Sequence, residues 1–156
     1  MTRLPYSILT LAFVLAACGG IPSEQLEKAR NGASLQELGL ADKQWDKNEM
    51  KLAAVTTNEQ LERASIAIIP FAHDKYQGKR VLLDGRNEVT GMLSSLSKNW
   101  GNQTNPYSHR YSSCYGATLF LGQMMVWGST LNPQDGSNIL QDYREQKDKC
   151  AALAAE

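Results

Sequence analysis

The chain has 156 residues, 42% of them hydrophobic and 21% charged, with 16 basic residues balancing 16 acidic ones. Such a length is enough for one domain with its own core. A surface without net charge carries no electrostatic footprint for nucleic acid or for a strongly acidic partner, so neither is expected.

The first element in chain order is a short apolar run. Arg3 is followed by the uncharged stretch 8–17 and then by Cys18, and the run falls well short of the roughly 20 residues that span a bilayer as a helix. One positive residue, a brief apolar segment and small residues before a cut describe a cleavable secretory signal over residues 1–17. Its end, Leu15, Ala16, Ala17 and Cys18, resembles the lipobox of bacterial lipoproteins at all four positions. The resemblance implies a diacylglyceryl group on the Cys18 thiol, cleavage between Ala17 and Cys18, and acylation of the freed amine. At about 0.8 kcal/mol per buried CH₂, two or three such chains hold a protein on a membrane, so the lipid bilayer is an expected partner through Cys18. Gly19 stands where an aspartate would resemble an inner-membrane retention signal, which favours an outer membrane, on its periplasmic side.

Removing residues 1–17 from 156 leaves 139; Arg3 is the one charge lost, leaving 15 basic residues against 16 acidic. With Cys18 taken by lipid, Cys114 and Cys150 remain as an even pair outside the cytoplasm and are expected to be bonded. Together with His73 and His109 they would make a tetrahedral zinc set, but none of the spacings has the short paired ligands of such sites. No metal or other cofactor is expected.

Residues 18–45 alternate Gly, Ser, Ala, Gln and Glu with isolated leucines, and Gly32 and Gly39 interrupt any periodicity. That is the pattern of a lipidated, flexible tether with short helical pieces, one starting at Ser23. The domain is expected over residues 46–156. Asp46 with Glu49 forms a capping-box pattern, Trp45 is placed to staple onto Met50, and a short helix through Val55 follows. Thr57 with Gln60 repeats the pattern and opens a longer helix in which Leu61, Ala64, Ile68, Phe71 and Ala72 recur at helical spacing, with Glu59 and Arg63 as an i,i+4 pair. Pro70 must kink or restart that helix, and residues 66–69 alone read equally well as a short buried strand.

From Asp84 or Gly85 onward, Val89, Met92, Leu93, Leu96 and Trp100 fit a helix ending near Gly101. After a polar loop, Ser108 is expected to cap the central helix, because residues 112–131 contain no charge and a helix that is apolar all round is buried. A break over residues 132–136 precedes a last helix from Ser137. It carries Leu140, Tyr143, Lys147, Cys150 and Leu153 on one stripe, with Arg144/Asp148 and Glu145/Lys149 on the wet side. Cys150 therefore faces the core, where it can meet Cys114. The sum is an all-α domain, a bundle of about four principal helices behind a flexible N-terminal tether, closed by one disulfide.

Catalytic signatures are missing: no Gly-Xaa-Ser-Xaa-Gly elbow, no phosphate-binding glycine loop, no His-Glu-Xaa-Xaa-His pair. No enzyme is expected. His73 and Asp74 are adjacent, and adjacent residues on a helix do not face each other. Asp84 and Glu88 share a face that reads as solvated, and Met124, Met125 and Trp127 suit a ligand groove less well than a core. The suggestive stretch is residues 99–113, where Tyr, Asn and Ser interleave with Trp, Arg and His as in adaptable binding surfaces. Trp100, Tyr107, His109, Arg110 and Tyr111 are the candidate partner-binding residues; the competing reading has Trp100 and Tyr111 close the end of the bundle. The expected role is a membrane-anchored periplasmic lipoprotein acting as a protein-binding module of inhibitor, immunity or exclusion type. The alternative is a structural or pilot lipoprotein of an envelope or secretion assembly.

Overall fold

The computed structural model describes residues 20–127 and 133–156, and all regular structure among them is helical: α1 (Ser23–Arg30), α2 (Lys47–Tyr76), α3 (Arg86–Gly101), α4 (Ser112–Trp127) and α5 (Pro133–Ala155). The expected signal and lipobox, Cys18 included, lie outside the described residues, as do Asn132 at the start of the expected break and the side chain of Trp127.

Asp46 starts the longest element. Its carboxylate accepts from the backbone N–H of Asn48 at 2.8 Å and of Glu49 at 2.9 Å, and the Glu49 carboxylate accepts from the Asp46 N–H at 3.1 Å. Two orphan donors at the helix start are satisfied reciprocally, the capping box expected from the sequence. The expected division at residue 56 does not occur, and α2 runs unbroken for 30 residues. Thr56 and Thr57 point their hydroxyls at partners instead of ending the helix: Thr56 donates to the carbonyl of Ala33, and Thr57 accepts from the indole of Trp100. Pro70 also lies inside α2, which excludes the strand reading of residues 66–69. Proline removes one backbone bond, to the carbonyl of Ile66. Both Pro70 and Ile66 sit on the exposed side, where water can satisfy that carbonyl.

Residues 52–57 of α2 are buried without interruption, as happens only where neighbours surround a helix. α2 packs against all four other helices, and α4 packs most extensively on α5. The central helix is thus α2, which corrects the expectation for α4. Cys114, Ala117, Thr118, Leu121 and Met124 form the buried stripe of α4, whereas Leu119, Gly122, Gln123 and Met125 stay partly open. They line a shallow groove of about 730 Å³ with Asn87, Ser94 and other α3 residues. Absence of charge did not dictate burial all round. Ser108 does not cap α4 either, since the chain turns through residues 105–111 before α4 begins at Ser112.

The flexible-tether expectation for residues 18–45 is corrected from Ser23 onward. Ala29, Leu35, Leu38, Leu40 and Trp45 are core residues, and Ile21 and Leu26 pack against that core. The isolated leucines that looked sparse in sequence each land on the bundle because the turns between them bring them to one side. Gly32 (φ 72°) and Gly39 (φ 69°) supply the left-handed conformations those turns need. Ser34 and Glu37 lock the intervening turn: the Glu37 carboxylate accepts from the Ser34 N–H and hydroxyl at 2.7 and 2.8 Å. These bonds hold the Glu37 carboxyl below its usual range.

Cys114 and Cys150 form a disulfide between α4 and α5, with Cα atoms 4.8 Å apart and both residues fully buried. The α5 stripe turns inward as expected, with Tyr143 and Cys150 in the core. α5 begins at Pro133 rather than Ser137.

Candidate functional site: the aromatic end of the bundle

The stretch singled out in the sequence, residues 99–113, connects α3 to α4 at the end of the bundle where α2 begins. Trp100 is fully buried; its indole N–H donates to the Thr57 hydroxyl at 3.0 Å, and its ring meets Trp45 edge to face at 4.7 Å between centroids. This arrangement satisfies the polar end of the indole and suits the ring quadrupoles. Tyr111 is buried as well. Neither side chain is available to a partner, which corrects their assignment as binding residues. They close the bundle end because their large apolar area is worth more inside than at a wet loop.

His109 lies between the two situations. Its ring stacks on Trp100 at 5.6 Å, inclined by 23°, and its Nδ1 accepts from the Tyr111 backbone N–H at 3.0 Å. That bond assigns the neutral ring's proton to Nε2, which is buried and has no hydrogen-bond partner among the described residues. Burial pulls the His109 pKa below its ordinary 6.5.

Tyr107 and Arg110 are the members of the set that face water. Tyr107 is 75% exposed, and its ring leans on Tyr115 at 5.3 Å between centroids. Burial, then the contact with Tyr107, raises the Tyr115 phenol above its ordinary range. Arg110 pairs with the Glu156 carboxylate and lies 5.9 Å from the Tyr111 ring.

Beneath this surface lies a polar clamp that the sequence did not flag. Asn99 and Gln103 are buried, one turn apart at the end of α3, and reach across to residues 42–45. Asn99 accepts from the Asp42 N–H at 2.6 Å. The Gln103 side-chain carbonyl accepts from the Trp45 N–H at 2.8 Å, and its amide donates to the carbonyls of Lys43 at 3.0 Å and Asn99 at 2.8 Å. Three bonds on one buried amide leave little unsatisfied, and they fix the chain just before the Asp46 cap. The i,i+4 spacing of Asn99 and Gln103 was the available signal, but two amides beside a polar loop read as solvated.

The remaining candidates do not converge on one site. His73 Nδ1 is 3.8 Å from Asp74, whose carboxylate pairs with Lys79 at 2.8 Å and is held below its usual range chiefly by that bond. Asp84 and Glu88 are exposed. Met124 is core, while Met125 lines the α3–α4 groove. Among the described residues no three of His, Cys, Asp or Glu converge to hold a metal, and no helix is long and apolar enough to cross a membrane. The chain matches no family model, no curated protein and no solved structure.

Proposed function

We propose that the chain is the precursor of a bacterial lipoprotein, anchored through acyl chains on Cys18 to an envelope membrane, the outer one on its periplasmic side. The mature domain then acts by stoichiometric contact with another protein, as an inhibitor, immunity or exclusion factor. The observation that carries the reading is the sequence Leu15-Ala16-Ala17-Cys18 at the end of a short apolar run. A helical domain whose bundle end offers the exposed Tyr107 beside small polar residues supports a binding role. Two or more acyl chains suffice for stable anchoring.

Intact mass of the protein from a bacterial host tests the anchor: loss of residues 1–17 and gain of diacylglycerol should appear together. Cys18→Ser should abolish both and release the protein from sedimenting membranes. Unchanged processing and sedimentation of Cys18→Ser would overturn the lipoprotein reading. For the binding role, capture from detergent extract should yield one stoichiometric partner, weakened at least tenfold by Tyr107→Ala. Retention by a single abundant envelope complex would point to a structural lipoprotein instead.

A further inference from the structure

Ile21 packs against the core, and it is three residues from Cys18. A fully extended chain covers at most about 3.6 Å per residue, so an acylated Cys18 lies within about 11 Å of the domain. The proposed anchor is therefore a short leash, and some face of the bundle must rest on the headgroups. The following inference names that face and rests on the lipoprotein reading above.

The turn that leaves α1 packs beside the middle of α2. The Asn31 carbonyl accepts from the Arg63 guanidinium at 2.9 Å, the Ala33 carbonyl from Gln60 at 2.9 Å and from Thr56, and residues 42–45 then reach the opposite end at Asn99 and Gln103. Residues 31–45 thus descend α2 from Arg63 towards Asp46. The loop 77–85, which joins α2 to α3, belongs to the other end. Asp84 and Gly85 share a cleft with Gly32, Ser34 and Arg63, so the loop adjoins the turn at which the N-terminal segment comes off α1.

That loop carries the most exposed large apolar side chain described, Leu82 at 92%. Its neighbour Leu83 is buried, which ties the loop to the core while Leu82 stays outside. Residues 74–88 contain Lys75, Lys79, Arg80 and Arg86 against Asp74, Asp84 and Glu88. Lys79 is paired with Asp74, but Arg80 and Arg86 are exposed and have no ion pair among the described residues. A lone exposed leucine is unremarkable in a soluble protein; one flanked by free arginines, on a domain whose first packed residue lies within about 11 Å of an acylated Cys18, has a surface to meet. We propose that the 77–86 loop lies on the membrane, with Leu82 seated among the headgroups and upper acyl chains and Arg80 and Arg86 on anionic phosphates.

The test uses the full acylated protein in nanodiscs containing phosphatidylglycerol and lipids brominated high on the acyl chain. Leu82→Trp should add blue-shifted emission that bromolipid quenches at least twofold, and adding Arg80→Glu with Arg86→Glu should remove most of that quenching. In the unsubstituted protein, amides of residues 79–86 should exchange at least threefold more slowly on anionic than on zwitterionic nanodiscs. Water-like, unquenched emission and equal exchange, with acyl chains present on Cys18, sink the placement of the loop and leave the anchor standing. Absence of acyl chains removes the anchor and the proposal together.

Discussion

Trp100 and Tyr107 stand seven positions apart in one aromatic-polar stretch, yet one is fully buried and the other 75% exposed. Composition made them look alike; the position of Thr57 and Trp45 separated them. Gln103 shows the converse, a polar side chain that matters because it is inside. Gln103→Ala leaves the Trp45 N–H and the Lys43 carbonyl without their partner, and a buried group left unsatisfied costs about 1–3 kcal/mol; chemical denaturation should show an unfolding free energy lowered by that amount. His109 gives a pH signature. Its folded-state pKa is lowered by burial, so below about 6.5 the unfolded chain takes up a proton that the folded chain resists, and stability falls as pH falls through that window. His109→Asn, which keeps an acceptor for the Tyr111 N–H, should flatten this part of a thermal-stability profile between pH 5 and 7.

At the scale of elements, the segment before Asp46 behaves as part of the bundle. Leu35 and Leu40 are among the largest fully buried side chains, and truncating either to alanine should cost about 2–5 kcal/mol. Limited proteolysis gives the complementary measurement: a tether would be nicked early between Ser34 and Trp45, whereas the clamped chain should resist until the whole domain opens. α4 makes the same point from the other side. It lacks charge along its length, but its α3-facing flank is left partly open, because α2 already occupies the centre.

For the whole molecule, the disulfide joins the pair of helices with the most extensive contact. It closes a loop across 36 residues, for which the chain-entropy account gives roughly 3–4 kcal/mol. Replacing Cys114 and Cys150 together with alanine should lower the melting temperature by roughly 5–15 °C in calorimetry while leaving helical circular dichroism at 20 °C in place. Loss of the fold at that temperature would mean the packed helices contribute less than their burial indicates.

The sequence by itself determined what depends on neighbours along the chain. The Asp46–Glu49 cap, the helical stripes of α2, α3 and α5, a start of α3 near Asp84 or Gly85, and a core-facing Cys150 all follow from local sequence patterns. The cysteine pairing was legible because, with Cys18 read as the lipid-bearing residue, Cys114 and Cys150 were the two left to pair. Only the tertiary structure decided which helix is central, that α2 continues through Thr57 and Pro70, that the leucines before Trp45 are core, and which aromatic residues of the 99–113 stretch remain at the surface. Each of those outcomes depends on a partner tens of residues away: Thr57 for Trp100, Gln103 for Trp45, Thr56 and Gln60 for Ala33. Burial and hydrogen-bond satisfaction are properties of such pairs, and a local pattern of polar and apolar residues does not contain them.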